Sequence, residues 1–339
     1  MNRQANRVGL GTYPLGGVFT PISKEEAKKI VKLFIDQGGY YIDTAPHYGF
    51  GAVETLLGEA LRDYPREKYY IATKCGYVDV EGKTFQTVQK SGKYVDVIAE
   101  CEKSLKRLRV DYIDLYFVHS PDPNTPFDQT MSALIKLQKV GKIRGIGVSN
   151  VNIDELKKYN KSGKVTFVQN RFSLLNRSIS REFEEYMIDN SIQLVPYQII
   201  DRGQLTGKVL EGIGNLRDGD VRNYGSDWQP EKLEVISHWV QTSLSPIAKR
   251  LGITLGQMSI AWALRQKYVG FVIVGLTNPM YIDINSKANS ITLSDETAKD
   301  IDAAYGELAR TIQSQYKQSI REFRGLDWLR RSTVAIFSK

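Results

Sequence analysis

Cysteine is scarce in this chain: Cys75 and Cys101 are the only two in 339 residues. Two thiols exclude a disulfide framework, and their spacing matches no metal-binding motif, so both are expected to be reduced. Long apolar runs are missing too, and none approaches the roughly 20 residues that a membrane-crossing helix requires. The first residues, Met1-Asn2-Arg3-Gln4-Ala5-Asn6-Arg7, lack the apolar stretch of a secretory signal, which leads to the expectation of a cytoplasmic protein without membrane partners. No Gly-x-Gly-x-x-Gly opens a helix after the first strand, and no Walker phosphate loop occurs. The stretch Gly11-Thr12-Tyr13-Pro14-Leu15-Gly16-Gly17 resembles a nucleotide loop only superficially. Internal repeats and low-complexity tracts are absent.

What is present is enough apolar material for a large core: 42% of residues are hydrophobic and 25% charged, which excludes disordered and fibrous classes. The length fits two ordinary domains, or one barrel of about 250 residues with insertions. Lys and Arg outnumber Asp and Glu by 46 to 38, a net charge of +8. That excess suits anionic small molecules better than nucleic acid, because the basic residues are scattered among acidic ones. The exception lies near the C-terminus, where Arg310, Lys317, Arg321, Arg324, Arg330 and Arg331 meet only Glu322 and Asp327.

Short apolar runs recur at 8–11, 40–43, 69–73, 112–118, 143–148, 165–169, 192–196 and 270–274, each followed by a turn and a segment with helical spacing. The intervening helices are expected at 24–37, 53–62, 96–107, 127–139, 154–159 and 180–189, with a long helical region over 231–266. The first carries Ser23 and Glu26 as a capping box and Gly38-Gly39 as its stop. Eight strands alternating with helices predict a closed parallel (β/α)8 barrel. The alternative is a doubly wound sheet, against which the missing Gly-rich fingerprint argues. Residues 78–93 and 207–230 break the repeat, and long connections of this kind are expected at the functional mouth of a barrel.

Active sites of such barrels are built at the C-terminal ends of the strands. Asp43 and Tyr48 follow the second strand, Lys74 ends the third, His119 the fourth, Ser149-Asn150 the fifth, Gln169-Asn170 the sixth and Tyr197 the seventh. Singly each has an ordinary structural explanation; proton-handling groups at three successive strand ends form a coherent set. A phenol with an ordinary pKa near 10 donates its proton at neutral pH only where a cation stabilises its ionised form. Lys74 is that cation, Asp43 holds the ammonium charged, and His119 orients a substrate carbonyl. Tyr48 is then the general acid for carbonyl reduction and the general base for the reverse oxidation.

The segments Asp43-Thr44-Ala45-x-x-Tyr48-Gly49, Ala72-Thr73-Lys74, Asp114-Leu115-Tyr116-Phe117-Val118-His119-Ser120 and Gly145-Ile146-Gly147-Val148-Ser149-Asn150 resemble the aldo-keto reductase superfamily, in order and spacing, from about Leu10 to about Leu293. Phe172-Ser173-Leu174-Leu175-Asn176-Arg177 and Leu205-Thr206-Gly207-Lys208 are similar to signatures of its bacterial inositol-utilisation and general-stress reductases. The resemblance implies a catalytic tetrad of Asp43, Tyr48, Lys74 and His119, and an extended nicotinamide dinucleotide across the barrel mouth. It implies Ser149, Asn150 and Gln169 at the carboxamide and Tyr197 on the nicotinamide ring. The loop 198–208, with its Leu205 signature, would cover the pyrophosphate, with Arg202 and Lys208 as its cations.

The family's adenosine-end pattern changes here to Gly275-Leu276-Thr277, then Tyr281 and Ile284-Asn285. Thr277 stands where many members have an arginine for the 2′-phosphate, and Ile284 where they have a glutamate. The implied cofactor is NADP(H), with NAD(H) as the alternative. Asp201, near the expected diphosphate, also departs from the pattern. The chain divides into a barrel, 1–304, and a C-terminal extension, 305–339, packed on the barrel or folded over its mouth. In the second arrangement Trp328 and the nearby arginines favour a sugar or an anion. The function implied is hydride transfer between a nicotinamide and the carbonyl or carbinol of a small polar molecule, a sugar or sugar derivative foremost. The alternatives are a cofactor-binding regulatory subunit and a redox-neutral enzyme that retains its nicotinamide.

Overall fold

The computed structural model describes residues 6–78, 88–207, 216–225 and 228–315. The strands among them are β1 (Val8–Gly11), β2 (Tyr41–Asp43), β3 (Tyr70–Cys75), β4 (Tyr77–Val78), β5 (Gln89–Lys90), β6 (Ile113–Val118), β7 (Ile143–Ser149), β8 (Val165–Gln169), β9 (Gln193–Leu194) and β10 (Val272–Gly275). Eight form one sheet in the order β10-β1-β2-β3-β6-β7-β8-β9, parallel throughout. Its ends meet: the Leu194 N–H donates to the Tyr268 carbonyl at 2.7 Å, Gly270 N–H to Leu194 at 2.8 Å and Ile273 N–H to Pro196 at 3.1 Å. The sheet curls into the (β/α)8 barrel expected from the strand–helix repeat. β4 and β5 form an antiparallel ribbon after β3, overlapping the first of the two irregular segments.

Around the barrel lie α1 (Lys24–Asp36), α2 (Ala52–Ala60), α3 (Tyr94–Leu108), α4 (Phe127–Lys139), α5 (Ile153–Tyr159) and α6 (Arg181–Asp189). The capping box of Ser23 and Glu26 opens α1 as predicted. The helical region expected over 231–266 is three helices, α7 (Pro230–Trp239), α8 (Ser245–Arg250) and α9 (Leu255–Leu264). Two residues break it. Pro246 has no N–H for the helical ladder, and a π-helical turn, Val240–Leu244, precedes it. Gly252, at φ +66°, follows α8.

The chain continues through α10 (Met280–Lys287) to α11 (Asp295–Gln315), which crosses position 305 without interruption. The α11 face bearing Tyr305 and Leu308 is buried, and Trp239 Nε1 donates to the Ala304 carbonyl at 2.7 Å, so this helix lies against α7. The rest of the extension, with Trp328, lies outside the described residues. Among the described residues no helix is long and apolar enough to cross a membrane.

Two cores result from the alternation of side chains along each strand. The outer one, between sheet and helices, includes Ile42, Ile71, Tyr116, Val118, Ile146 and Val168. The inner one fills the barrel with Tyr41, Ala72, Leu115, Phe117, Phe167, Val195, Phe271 and Ile273. Gly147 belongs to the inner set because a Cβ there would lie 2.3 Å from the Phe117 ring. Two residues further along, every one of these strands reaches the mouth with the same inward parity. The residues so placed are Asp43, Lys74, His119, Ser149, Gln169, Tyr197 and Gly275.

Candidate active site

Lys74 is fully buried, and its ammonium has three acceptors: Asp43 Oδ1 at 2.8 Å, the Thr44 carbonyl at 2.8 Å and Tyr48 Oη at 3.2 Å. An ammonium carries three protons, so none is left over. The second oxygen of Asp43 accepts from Gln169 Nε2 at 2.7 Å. Tyr48 sits on a tight turn, Tyr48–Gly51, in which Gly49 and Phe50 both have positive φ, 57° and 52°. Positive φ is costly at Phe50, and strain of this kind concentrates at functional sites. The turn tips the phenol over Lys74, whose Nζ lies 4.9 Å from the centre of its ring. His119, on the next strand, has its ring 6.1 Å from that of Tyr48, edge to face.

Behind the strand a second polar layer holds this set. Glu54 of α2 is fully buried and accepts from Thr73 Oγ1 at 2.6 Å and from Arg107 Nε at 2.7 Å. Thr73 immediately precedes Lys74, and a Cβ on Gly51 would lie 3.2 Å from Arg107 Cδ. One buried ion pair therefore ties the turn carrying Tyr48 to the strand carrying Lys74. In the sequence it shows only as one acidic position inside the apolar face of α2.

Burial pushes the Tyr48 phenol well above its ordinary pKa, and the Asp43 carboxylate adds to the effect. The net shift runs opposite to the lowering expected from Lys74, because desolvation of a phenolate outweighs one cation. The phenol is thus fully protonated at neutral pH, as an acid requires, while the cation 3.2 Å away waits for the charge that develops when the proton leaves. Burial pulls the Lys74 ammonium down, opposed first by Asp43 and then by Glu54. His119 is pushed well below the usual imidazole range by burial and then by Lys74, so it is neutral.

A histidine with a depressed folded-state pKa favours folding above the unfolded value, near 6.5, and loses that contribution as pH falls, because the unfolded chain takes up the proton first. Stability measured by urea unfolding should therefore fall as pH drops below about 6.5. The slope should be at most about 1.4 kcal/mol per pH unit for this group. The His119→Gln variant should show a flatter profile between about pH 5 and 6.5; an unchanged slope would remove His119 from the account.

The other residues named from the sequence are placed as follows. Ser149 and Gln169 are buried, and Ser149 Oγ donates to the Gln169 carbonyl at 2.7 Å. Asn150 has φ +59°; its Nδ2 donates to the His119 carbonyl at 2.8 Å, and its Oδ1 accepts from Tyr197 Oη at 2.6 Å. These four side chains form one rim beside the Asp43–Lys74 pair. Arg202, also at positive φ, lies close enough to Tyr13 and Tyr197 to act on both phenols. Gly275 lies under the turn Tyr13–Gly16, where a Cβ would come 2.7 Å from Pro14 Cγ. Thr277 precedes α10, on which Tyr281 and Asn285 sit one turn apart, all three half-buried.

Two placements, those of Leu205 and Asp201, differ from the plain sequence pattern. Leu205 is fully buried in the outer core with its N–H bonded to the Ile200 carbonyl, so its side chain does not reach the mouth. Lys208 lies outside the described residues. Asp201 does not face the mouth as a free anion: it is buried, paired with Arg171 Nη2 at 2.7 Å, and accepts from Ser173 Oγ. Its left-handed backbone, φ +44°, turns the side chain inward. The sequence also leaves Tyr13 and His47 without roles. The Tyr13 ring lies 5.1 Å from that of Tyr48, and the His47 ring 6.1 Å from that of His119. The second irregular segment reaches the mouth as well: Arg217 donates to the Gly17 carbonyl at 2.7 Å and the Phe19 carbonyl at 3.0 Å, and Val221 N–H to Val18 at 3.0 Å.

Similarity to known proteins agrees with this geometry. The Aldo/keto reductase family model matches residues 7–306. Aldo-keto reductase YhdN of Bacillus subtilis is 33% identical over 302 residues, 88% of this chain and 89% of that protein. The NADH-specific methylglyoxal reductase of Escherichia coli is 31% identical over 307 residues, 86% and 92% of the two chains. Among solved structures, the glycerol dehydrogenase AKR11B4 from Gluconobacter oxydans superposes with a TM-score of 0.79 at 28% identity, covering 89% of this chain and 91% of that one. With a family match over most of its length and relatives above 30% identity, this chain belongs to the aldo/keto reductase family of oxidoreductases.

Proposed function

We propose that the protein interconverts the carbonyl and carbinol of a small polar molecule, a sugar or sugar derivative foremost, using NADP(H) or NAD(H), with Tyr48 as the proton donor and acceptor. The observation that carries this reading is the buried chain Gln169–Asp43–Lys74–Tyr48, each member within hydrogen-bond distance of the next. Tyr48 Oη gives its proton to the carbonyl oxygen, and the Lys74 ammonium stabilises the phenolate left behind. Asp43 keeps that ammonium charged and fixed, and Gln169 fixes Asp43. His119, neutral, offers a ring N–H that orients the carbonyl oxygen beside Tyr48. A bound nicotinamide supplies or accepts the hydride.

The residues of the mouth suit a nicotinamide dinucleotide. Ser149, Asn150 and Gln169 offer hydroxyl and amide groups for a carboxamide, and Tyr197, anchored through its hydroxyl to Asn150, offers an aromatic wall for the ring. With Asp201 neutralised internally, Arg202 is left as the cation for a diphosphate, with Lys208 assigned beside it. Thr277, Tyr281 and Asn285 are assigned to the adenosine end, with Gly275 passing close beneath. Methylglyoxal and glycerol, in the names of two similar proteins, are small oxygenated molecules and support a compact polar substrate. The Phe172–Arg177 and Leu205–Lys208 signatures support placement in the inositol-utilisation and general-stress branch. Turnover of added NADPH or NADH with a panel of small aldehydes and sugars tests the reading. Cofactor binding without turnover of any carbonyl would point to a regulatory subunit, and nicotinamide retained through purification to a redox-neutral enzyme.

Thr277 brings no charge to the 2′-phosphate, and a charge-assisted hydrogen bond is worth about 1.5 to 3 kcal/mol. Thr277→Arg is therefore expected to tighten NADPH by roughly tenfold to a hundredfold and to leave NADH nearly unchanged. Fluorescence titration of both cofactors with both proteins checks it. Strong wild-type selectivity for NADPH, unmoved by the substitution, would assign the phosphate to another cation.

A further inference from the structure

Six positions after Tyr48, in the first turn of α2, the chain buries a carboxylate that the proton-transfer chain does not use. Glu54 is 0% exposed. Its Oε1 accepts from Thr73 Oγ1 of β3 at 2.6 Å. Its Oε2 accepts from Arg107 Nε of α3 at 2.7 Å and from Ser104 Oγ at 3.4 Å. Side chains alternate along β3, so Thr73 faces α2 while Lys74, the next residue, faces the barrel axis. Glu54 thus braces the strand from behind, one peptide unit from the lysine whose ammonium meets Tyr48 Oη at 3.2 Å. Exchanging a buried ion pair for apolar groups of similar volume is often neutral or stabilising, so packing alone gives no reason for a charge at this point.

We propose that Glu54 is a positioning residue for carbonyl reduction: through Thr73 it fixes the strand carrying Lys74, and by its charge it helps hold the proton on the Lys74–Tyr48 pair. The inference rests on the reductase reading above and adds to it a residue that touches neither substrate nor cofactor. Proton transfer depends on the distance between a turn and a strand. Glu54 is joined to both, to the turn Tyr48–Gly51 through Gly51, the N-cap of its own helix, and to β3 through the Thr73 hydroxyl. Its charge acts in the same sense as its geometry. Burial pulls the Lys74 ammonium down, and Asp43 and then Glu54 oppose that pull. The groups facing Lys74 are Asp43 on β2, Tyr48 on the turn, His119 on β6 and Glu54 behind the strand. Those facing Tyr48 are Asp43, Tyr13 and Tyr197, and α3 turns Arg107 and Glu100 toward Glu54. A negative charge disfavours loss of a proton from an ammonium and from a phenol alike. Without it, both let go at lower pH.

The test follows reduction of the small aldehyde that the wild type turns over fastest, at saturating NADPH or NADH and across pH. The variants are Glu54→Gln, the pair Glu54→Gln with Arg107→Gln, Thr73→Val and Thr73→Ser. Gln keeps the shape and removes the charge, so kcat should fall about tenfold while the cofactor Kd stays within about twofold. The alkaline limb of the profile, which reports the coupled Lys74–Tyr48 pair, should move to lower pH. The paired substitution leaves no lone guanidinium, so it decides the matter if the single variant does not fold, and its limb should move in the same direction by less. Thr73→Val keeps the charge and removes the brace: kcat should fall severalfold with the limb in place, and Thr73→Ser should restore it. A role confined to stability would lower urea midpoints and leave kcat and the limb of the folded enzyme unmoved. A limb left in place by both charge-removing variants, or full activity in Thr73→Val, overturns the inference and leaves the reductase reading standing. A wild type that reduces none of a panel of small aldehydes and sugars overturns that reading, and this inference with it.

Discussion

Replacing Tyr48 by Phe should lower carbonyl reduction by about 10² to 10⁴, the usual worth of a positioned general acid, while cofactor affinity stays within about twofold. The substitution deletes one oxygen and keeps the ring. The Tyr13 ring, 5.1 Å away edge to face, keeps its neighbour, and the turn Tyr48–Gly51 keeps its geometry. The oxygen that leaves is the one bonded to Lys74 at 3.2 Å, so under the proposed mechanism the reacting carbonyl loses the proton that Tyr48 would supply. Lys74 then retains two acceptors, Asp43 and the Thr44 carbonyl, both at 2.8 Å, and the folded state should lose little stability. Single-turnover rates of hydride transfer, read beside cofactor titrations and a thermal melt, separate the three quantities. Wild-type rates on every substrate in the Phe variant would remove Tyr48 from the chemistry.

The barrel and the cluster of polar side chains at its mouth were legible in the sequence for the same reason. Strand ends are marked by a change from apolar to polar residues, and side chains alternate across a parallel strand. Asp43 stands two residues after Tyr41, Lys74 two after Ala72, His119 two after Phe117 and Gln169 two after Phe167. One parity rule therefore gives both the filler of the barrel and the groups above it. What the sequence hid depends on backbone torsion and long-range contact. Nothing local marks Asp201 as an inward-facing ion, because its inward turn depends on φ +44° and on Arg171, thirty positions away. Leu205 carries a family signature, and nothing in that signature shows that its side chain is buried in the outer core. Glu54 reads as an ordinary acid on a short helix until Thr73 and Arg107 close on it. The direction of the Tyr48 shift was also out of reach, since the spacing of residues shows the nearby cation and not the burial that outweighs it.

Lys74→Met should cost both activity and stability, and the two losses can be separated. Met nearly matches the lysine in volume, so packing in this fully buried site changes little and the charge is what goes. Asp43 then keeps one amide partner, Gln169 at 2.7 Å, and stands as a buried carboxylate without its cation; breaking a buried pair from one side costs about 3 to 5 kcal/mol. Unfolding midpoints in urea should drop accordingly, and the limb of the pH–rate profile of reduction that reports the Tyr48 phenol should move to higher pH, because without the ammonium the phenolate is less stabilised and the phenol's pKa rises. Adding Asp43→Asn in the same chain removes the stranded charge. The double variant should therefore regain most of the lost stability, while reduction stays as slow as in Lys74→Met alone. Recovery of activity together with stability would mean that Lys74 acts only by holding the fold. A single variant that is both stable and fully active would place the ammonium outside the reaction.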